Sequence, residues 1–207
     1  MDLLIDLINR GGWVMYPILL CSLAGLGLVL ERLWALRRGR VLPRPFLNSV
    51  NSLLEARQYD QAAFLSQSDD CAAARLIQLA LKLAGRRRAV FKETMEEAGR
   101  REASALTGHL GALHLVASIS PLLGLLGTVS GMISAFNSIA AQGGGNQGLL
   151  AGGISEALLT TAAGLCVAIP ALVLHRALLS RAESLTGELE DLSSDLMEAL
   201  AAPERVG

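Results

Sequence analysis

The sequence is short of aromatic residues, 4% of 207, and short of charge, 18% where soluble domains carry about 25%. Its net charge of −1 excludes the basic surface on which nucleic-acid binding rests. Cys21, Cys71 and Cys166 stand far apart with no CxxC among them, which excludes a disulfide scaffold and a zinc ribbon. His109, His114 and His175 lack ligand spacing and read as polar residues near the cytoplasmic boundary. There is no Walker loop, no GxSxG and no HExxH, so no enzyme, no cofactor and no metal are expected. What is abundant is apolar and small: 52% hydrophobic residues and 21 glycines, with a mean hydropathy of +0.44. Such a chain is not disordered; its composition is that of packed membrane helices.

The charges are also unevenly placed. None falls in the 18 residues Trp13–Leu30, the 53 residues Ala103–Ser155 or the 19 residues Ala157–His175. A helix crosses a hydrocarbon core about 30 Å thick with about 20 apolar residues. The middle run exceeds one crossing, and its stretch Ala141–Gly153 (AQGGGNQGLLAGG) holds six glycines, the composition of a loop. An all-α membrane protein with three transmembrane helices follows. The expected divisions are an N-terminus and first crossing at 1–36, a cytoplasmic helical region at 37–105, a second crossing at 106–140, a short outer loop at 141–153, a third crossing at 154–179 and a cytoplasmic C-terminal helix at 180–207. The first run is retained rather than cleaved as a signal peptide, because Asp2 and Asp6 precede its only base, Arg10, and Glu31-Arg32 follows it. Thirteen Lys or Arg against eight acids lie between Arg37 and Glu102, a net of +5, and none lies in the Gly-rich loop. The positive-inside rule then puts 37–102 in the cytoplasm and the N-terminus outside. The tail from Ser180, with seven acids and two bases, could attract the basic segment.

Pro43 and Pro45 break the chain after the first crossing. Phe46, Val50, Leu53 and Leu54, then Leu76, Leu79, Ala80 and Leu83, recur at helical spacing. These predict two or three short amphipathic helices with a turn at Ser66–Asp70. Phe91 to Ala140 predicts one long helix. Leu185, Leu189, Leu192, Leu196 and Leu200 form an apolar stripe that extends the third crossing inward.

Within the crossings, Ser120, Gly124, Gly127 and Gly131 share one face of the second helix. Ala157, Thr161, Gly164, Ala168 and Ala171 share one face of the third. Small faces let helices approach closely in lipid. Pro121 and Pro170 interrupt the backbone bonding of their helices. Glu156 is the only acid between Glu102 and Glu183. A carboxylate in lipid is costly, so it either caps the third helix at the boundary or faces a partner near an ion path. Thr160 lies one turn from it, and Thr161 about 100° further round. Threonine hydroxyls bond back to the preceding turn or hold water in a pore, and Thr128 can be weighed the same way.

Ser120–Phe136 (SPLLGLLGTVSGMISAF), the polar loop and Gly153–Pro170 (GISEALLTTAAGLCVAIP), with the opening GGWVMYPILL and LERLWAL, resemble the MotA/TolQ/ExbB proton-channel family, and within it the ExbB/TolQ branch. The resemblance covers essentially the whole chain. It implies a homopentameric ring in the bacterial inner membrane, with a dimer of an ExbD/TolR-like single-crossing partner inside and a TonB-like protein beyond it. It implies that the proton-carrying aspartate belongs to the partner. Thr128, Thr161 and Glu156 match the family's pore positions, with Thr160 beside them, and Gly124, Gly127, Gly131, Gly164, Pro121 and Pro170 serve packing. The implied function is a proton-channel subunit that energises outer-membrane transport. A TolQ-like role in envelope maintenance, a gliding or secretion motor, and a non-conducting scaffold are the alternatives.

Overall fold

Eight helices make up almost all of the chain that this computed structural model describes, residues 11–142 and 147–200. They are α1 (Met15–Ala35), α2 (Arg38–Val41), α3 (Arg44–Glu55), α4 (Tyr59–Gln67), α5 (Ala72–Lys82), α6 (Arg88–Thr107), α7 (Leu110–Gln142) and α8 (Gln147–Leu200). The acids expected at the outer N-terminus, the centre of the Gly-rich segment and the last seven residues lie outside the described residues. Among the described residues, three stretches are long and apolar enough to cross a membrane: Met15–Ala35, Arg88–Ala140 and Ala151–Leu200.

Contacts divide the chain into two units. The first takes the chain up to Glu31 together with His109–Ala177, and the second takes Arg32–Gly108 with the chain from Leu178 onward. The first unit holds most of α1, all of α7 and the first part of α8. Its buried residues are small or aliphatic, among them Ile18, Leu113, Ala135, Ala157 and Ala168. Leu23, Leu122, Val129, Phe136, Leu158 and Val173 are exposed. A surface this apolar requires lipid or other protein as its surroundings.

The second unit packs large apolar side chains behind a charged rim. Pro43 caps α3 and Pro45 stands in its first turn, where a missing N–H costs nothing. Phe46 and Val50 of α3, Leu76, Ile77 and Ala80 of α5, and Phe91 and Met95 of α6 are buried, as are Leu185, Leu189, Leu196 and Leu200 on α8. The tail stripe is therefore real, and it continues the third crossing in one helix. Ion pairs hold the rim. Arg75 meets Glu102 through two bonds, at 2.8 and 2.6 Å, and Asp70 at 2.9 Å. Arg38 meets Glu188 at 2.7 Å, one direct contact between the basic segment and the acidic tail. The Arg40 guanidinium stacks 3.5 Å over the ring of Trp34.

Three boundaries differ from the expectations. First, the region between the first crossing and α6 has four short helices, and α4 runs through Ser66 to Gln67. The turn falls later than expected, because Ser66 is buried and donates to Ala62 O at 2.8 Å within its own helix. Second, the helix expected from Phe91 to Ala140 is broken at Gly108–His109. Side chains occupy the carbonyls that an unbroken helix would use. Thr107 Oγ1 donates to Ala103 O at 3.1 Å, and Arg32 Nη1 donates to Ala105 O and Leu106 O at 3.4 and 3.3 Å. Those carbonyls gain bonds from outside the backbone, as at any helix C-terminus. Third, the loop expected over Ala141–Gly153 is helical at both ends, since α7 reaches Gln142 and α8 starts at Gln147. Gly153 is glycine for closeness, not for a turn: a Cβ there would overlap the Cβ of Ala135 and lie 2.9 Å from Gly131 O.

Candidate functional site

The two small faces foreseen on α7 and α8 pack against each other. A Cβ at Gly124 would lie 3.0 Å from Thr161 Cα. A Cβ at Gly127 would overlap the Thr160 side chain, and one at Gly131 would lie 3.0 Å from Gly153 O. On the other helix, a Cβ at Gly164 would lie 2.5 Å from Ser120 O. Any larger residue would push the backbones apart. Pro121 and Pro170 sit inside helices that continue past them.

The polar groups along this seam satisfy themselves in different ways. Ser120 is fully buried and donates to Val116 O at 2.7 Å. Thr160 is also fully buried, and its hydroxyl bonds back to Ala157 O and Glu156 O at 2.9 and 3.1 Å. It is sealed into the helix pair. Thr161 reaches across: its hydroxyl donates to Gly124 O at 3.1 Å. Thr128, half-buried, donates to Leu125 O at 2.7 Å. A hydroxyl has one hydrogen to give and two lone pairs to receive. Thr161 and Thr128 have each placed their hydrogen on a carbonyl, and their lone pairs remain able to accept from water or a protonated acid.

Glu156 is half-buried and lies nine residues beyond the first residue of α8, so it does not cap that helix. Its carboxylate rests on Gly12: a Cβ on Gly12 would overlap Glu156 Oε1. Gly12 has φ +65, where a side chain is strained, so glycine is required there twice over. The carboxylate thus sits at the start of α1, where the helix dipole favours negative charge. Next door, Trp13 Nε1 donates to Ser130 Oγ at 3.1 Å. The GGW triplet before the first run was the available signal, but no spacing rule links it to Glu156 or Ser130.

The histidines also take positions that spacing did not reveal. His109 Nδ1 lies 3.0 Å from Glu31 Oε1. His114 on α7 and His175 on α8 face each other, with ring centroids 5.1 Å apart and planes tilted by 42°. Among the described residues no group of three or more His, Cys, Asp or Glu could hold a metal.

The sequence model of the MotA/TolQ/ExbB proton channel family matches residues 66–191. A Synechocystis protein named ExbB-like 1, of biopolymer transport by name, is 35% identical over 185 residues, covering 86% of this chain and 71% of its own. The biopolymer transport protein ExbB of Salmonella typhimurium is 39% identical over 87 residues, 42% of this chain and 36% of its own. The Tol-Pal system protein TolQ of Pseudomonas aeruginosa is 36% identical over 100 residues, 48% of this chain and 43% of its own.

Proposed function

The chain belongs to the MotA/TolQ/ExbB proton channel family, and from that premise we propose that it is the ring subunit of an inner-membrane motor driven by the proton motive force. As an ExbB/TolQ-type protein it is a membrane-embedded channel subunit of biopolymer transport. In the reading proposed, five copies surround a dimer of an ExbD/TolR-like single-crossing partner, and the assembly energises an outer-membrane process through a TonB-like protein.

One observation carries this reading. The two threonines that match the family's pore positions have their hydrogens committed to carbonyls and their lone pairs open. Neither can titrate near neutral pH, so each can receive a hydrogen bond from a proton carrier without itself being one. The titrating group then has to come from a partner, neutral in a dry pore and charged when water reaches it. Glu156, held against the start of α1, contributes negative charge at the outer end. Thr160 holds the helix pair rigid behind Thr161. The match to TolQ, 36% identical over 100 residues against 39% over 87 for ExbB, makes a Tol-Pal-type role in envelope maintenance the second reading.

The test is native mass spectrometry of the detergent-extracted chain with and without a single-crossing partner, followed by proton flux in liposomes. A pentamer that gains two partner copies is expected. Thr161→Val is expected to assemble but to lose proton-driven flux, and Thr161→Ser, which keeps the hydroxyl, to retain it. A monomer or dimer that ignores the partner would favour a non-conducting scaffold, and a fully conducting Thr161→Val ring would remove Thr161 from the pathway.

A further inference from the structure

The facing imidazoles of His114 and His175 lie apart from every residue assigned above. Their placement is regular. His114 is fourteen residues before Thr128 on α7, and His175 is fourteen residues after Thr161 on α8. Fourteen residues are about 21 Å of helix rise and return to within about 40° of the same direction. The two helices run oppositely through the bilayer in the reading above, so both histidines lie displaced from the threonines toward the same side, the cytoplasmic one. The rings meet there at 5.1 Å.

Three further observations set this pair apart from ordinary interfacial histidines. His114 is exposed in the single chain, on a stretch otherwise suited to lipid, so in an assembly it faces water or protein. His175 Nδ1 is buried with no hydrogen-bond partner among the described residues, so this ring nitrogen is uncommitted within the single chain. The surroundings are apolar. At this level α1 presents Gly25, Leu26 and Val29, alongside Leu113 of α7 and Leu174 of α8, around a groove of about 370 Å³. The charged residue next to the pair in sequence is Arg176, which follows His175 in α8.

We propose that His114 and His175 form a proton-transfer station at the cytoplasmic end of the pathway, taking protons that have passed the threonine level and releasing them to cytoplasmic water. The inference rests on the channel reading above. In each transfer an excess proton leaves a protonated water, breaking its O–H bond, and forms an N–H bond on one ring nitrogen. The opposite nitrogen gives up its own proton to an acceptor water. The ring begins and ends neutral, and no electrons are exchanged. Imidazole suits this task because its two nitrogens donate and accept at once near neutral pH.

The experiment is proton flux into liposomes containing the ring assembled with its single-crossing partner, read by an enclosed pH dye. The double variant His114→Ala/His175→Ala is expected to keep the assembled mass and to lose flux by about tenfold or more. Free imidazole in the buffer on the cytoplasmic side is expected to restore most of it. If the double variant does not assemble, His114→Ala alone, at an exposed position, carries the same test. Wild-type flux in the variant overturns the station, and so does a loss that imidazole leaves unchanged, because that is the behaviour of a packing residue. The two levels of inference separate through Thr161→Val. A wild-type ring that passes no protons overturns the channel reading and the station with it. A silent Thr161→Val beside a fully conducting histidine variant overturns the station alone.

Discussion

The unit built on α1, α7 and the first part of α8 and the unit built on α2–α6 are both all-helical, but they are held together by opposite means. In the first, helix backbones meet at Gly124, Gly127, Gly131, Gly153 and Gly164, and the contact is closest where a side chain is missing. In the second, large side chains such as Phe91, Leu76 and Ile77 fill the core, and arginines bridge the rim. The difference is one of solvent. Between helices in lipid there is no hydrophobic drive, because acyl chains are as apolar as leucine, so close backbone packing must supply the attraction. In water, burying a large apolar side chain is itself stabilising by about 1.5–3 kcal/mol.

Shrinking a side chain is therefore expected to hurt the second unit most. Phe91→Ala empties a fully buried site and is expected to cost about 3–5 kcal/mol, read as a lowered melting temperature in detergent. Enlarging one is expected to hurt the first unit. Gly164→Ala brings a methyl onto Ser120 O, a backbone atom that cannot swing aside, and is expected to cost about 1–3 kcal/mol. The same substitution at Gly187, a helical glycine of α8 with open space around it, is expected to stabilise by about 1 kcal/mol. Equal effects of the two glycine changes would break the comparison.

Charge gives a smaller contrast. The Glu102 carboxylate raises the Arg75 pKa further above its already high value, so this arginine stays charged throughout the accessible pH range. Arg75 is nearly half exposed, and solvent screening limits what the pair contributes. Arg75→Met is expected to cost about 1 kcal/mol, and the loss should shrink in high salt. The smallest effect concerns Cys71, whose thiol caps α5 by accepting from Ala74 N. Burial raises its pKa above the ordinary 9.0. A thiol with a raised pKa in the folded state contributes its full stability below pH 9 and loses it as pH climbs through the raised value. Cys71→Ser keeps a capping oxygen and is expected to remove that alkaline decline from a melting series.

The fold was largely legible because its strongest signals are physical extremes. Three runs free of charge can be read without tertiary information, and so can the small faces of α7 and α8, though which surface each would pack against could not. The expected boundaries failed where a residue has two uses. Glycine marks both turns and close approach, and at Gly153 the second use applies. At the break at Gly108–His109 two carbonyls accept from Arg32, more than seventy residues away, and no local pattern announces such a contact. At the candidate site, motif residues were legible and pairings were not. Thr161 could be named, but its bond to Gly124 O could not. His114 and His175 read as unrelated residues until the antiparallel course of α7 and α8 brought them together.

The two tryptophans of the chain fall one to each unit, and their surroundings make them different optical probes. Trp13 gives its indole hydrogen to Ser130, so its emission reports the spacing of α1 and α7 beside Glu156. Trp34 lies under the Arg40 guanidinium, a cation placed to perturb its excited state. With Trp34→Phe, the remaining fluorescence becomes a native gauge of the Glu156 end of the membrane unit, readable without any attached dye while a proton gradient is applied and collapsed.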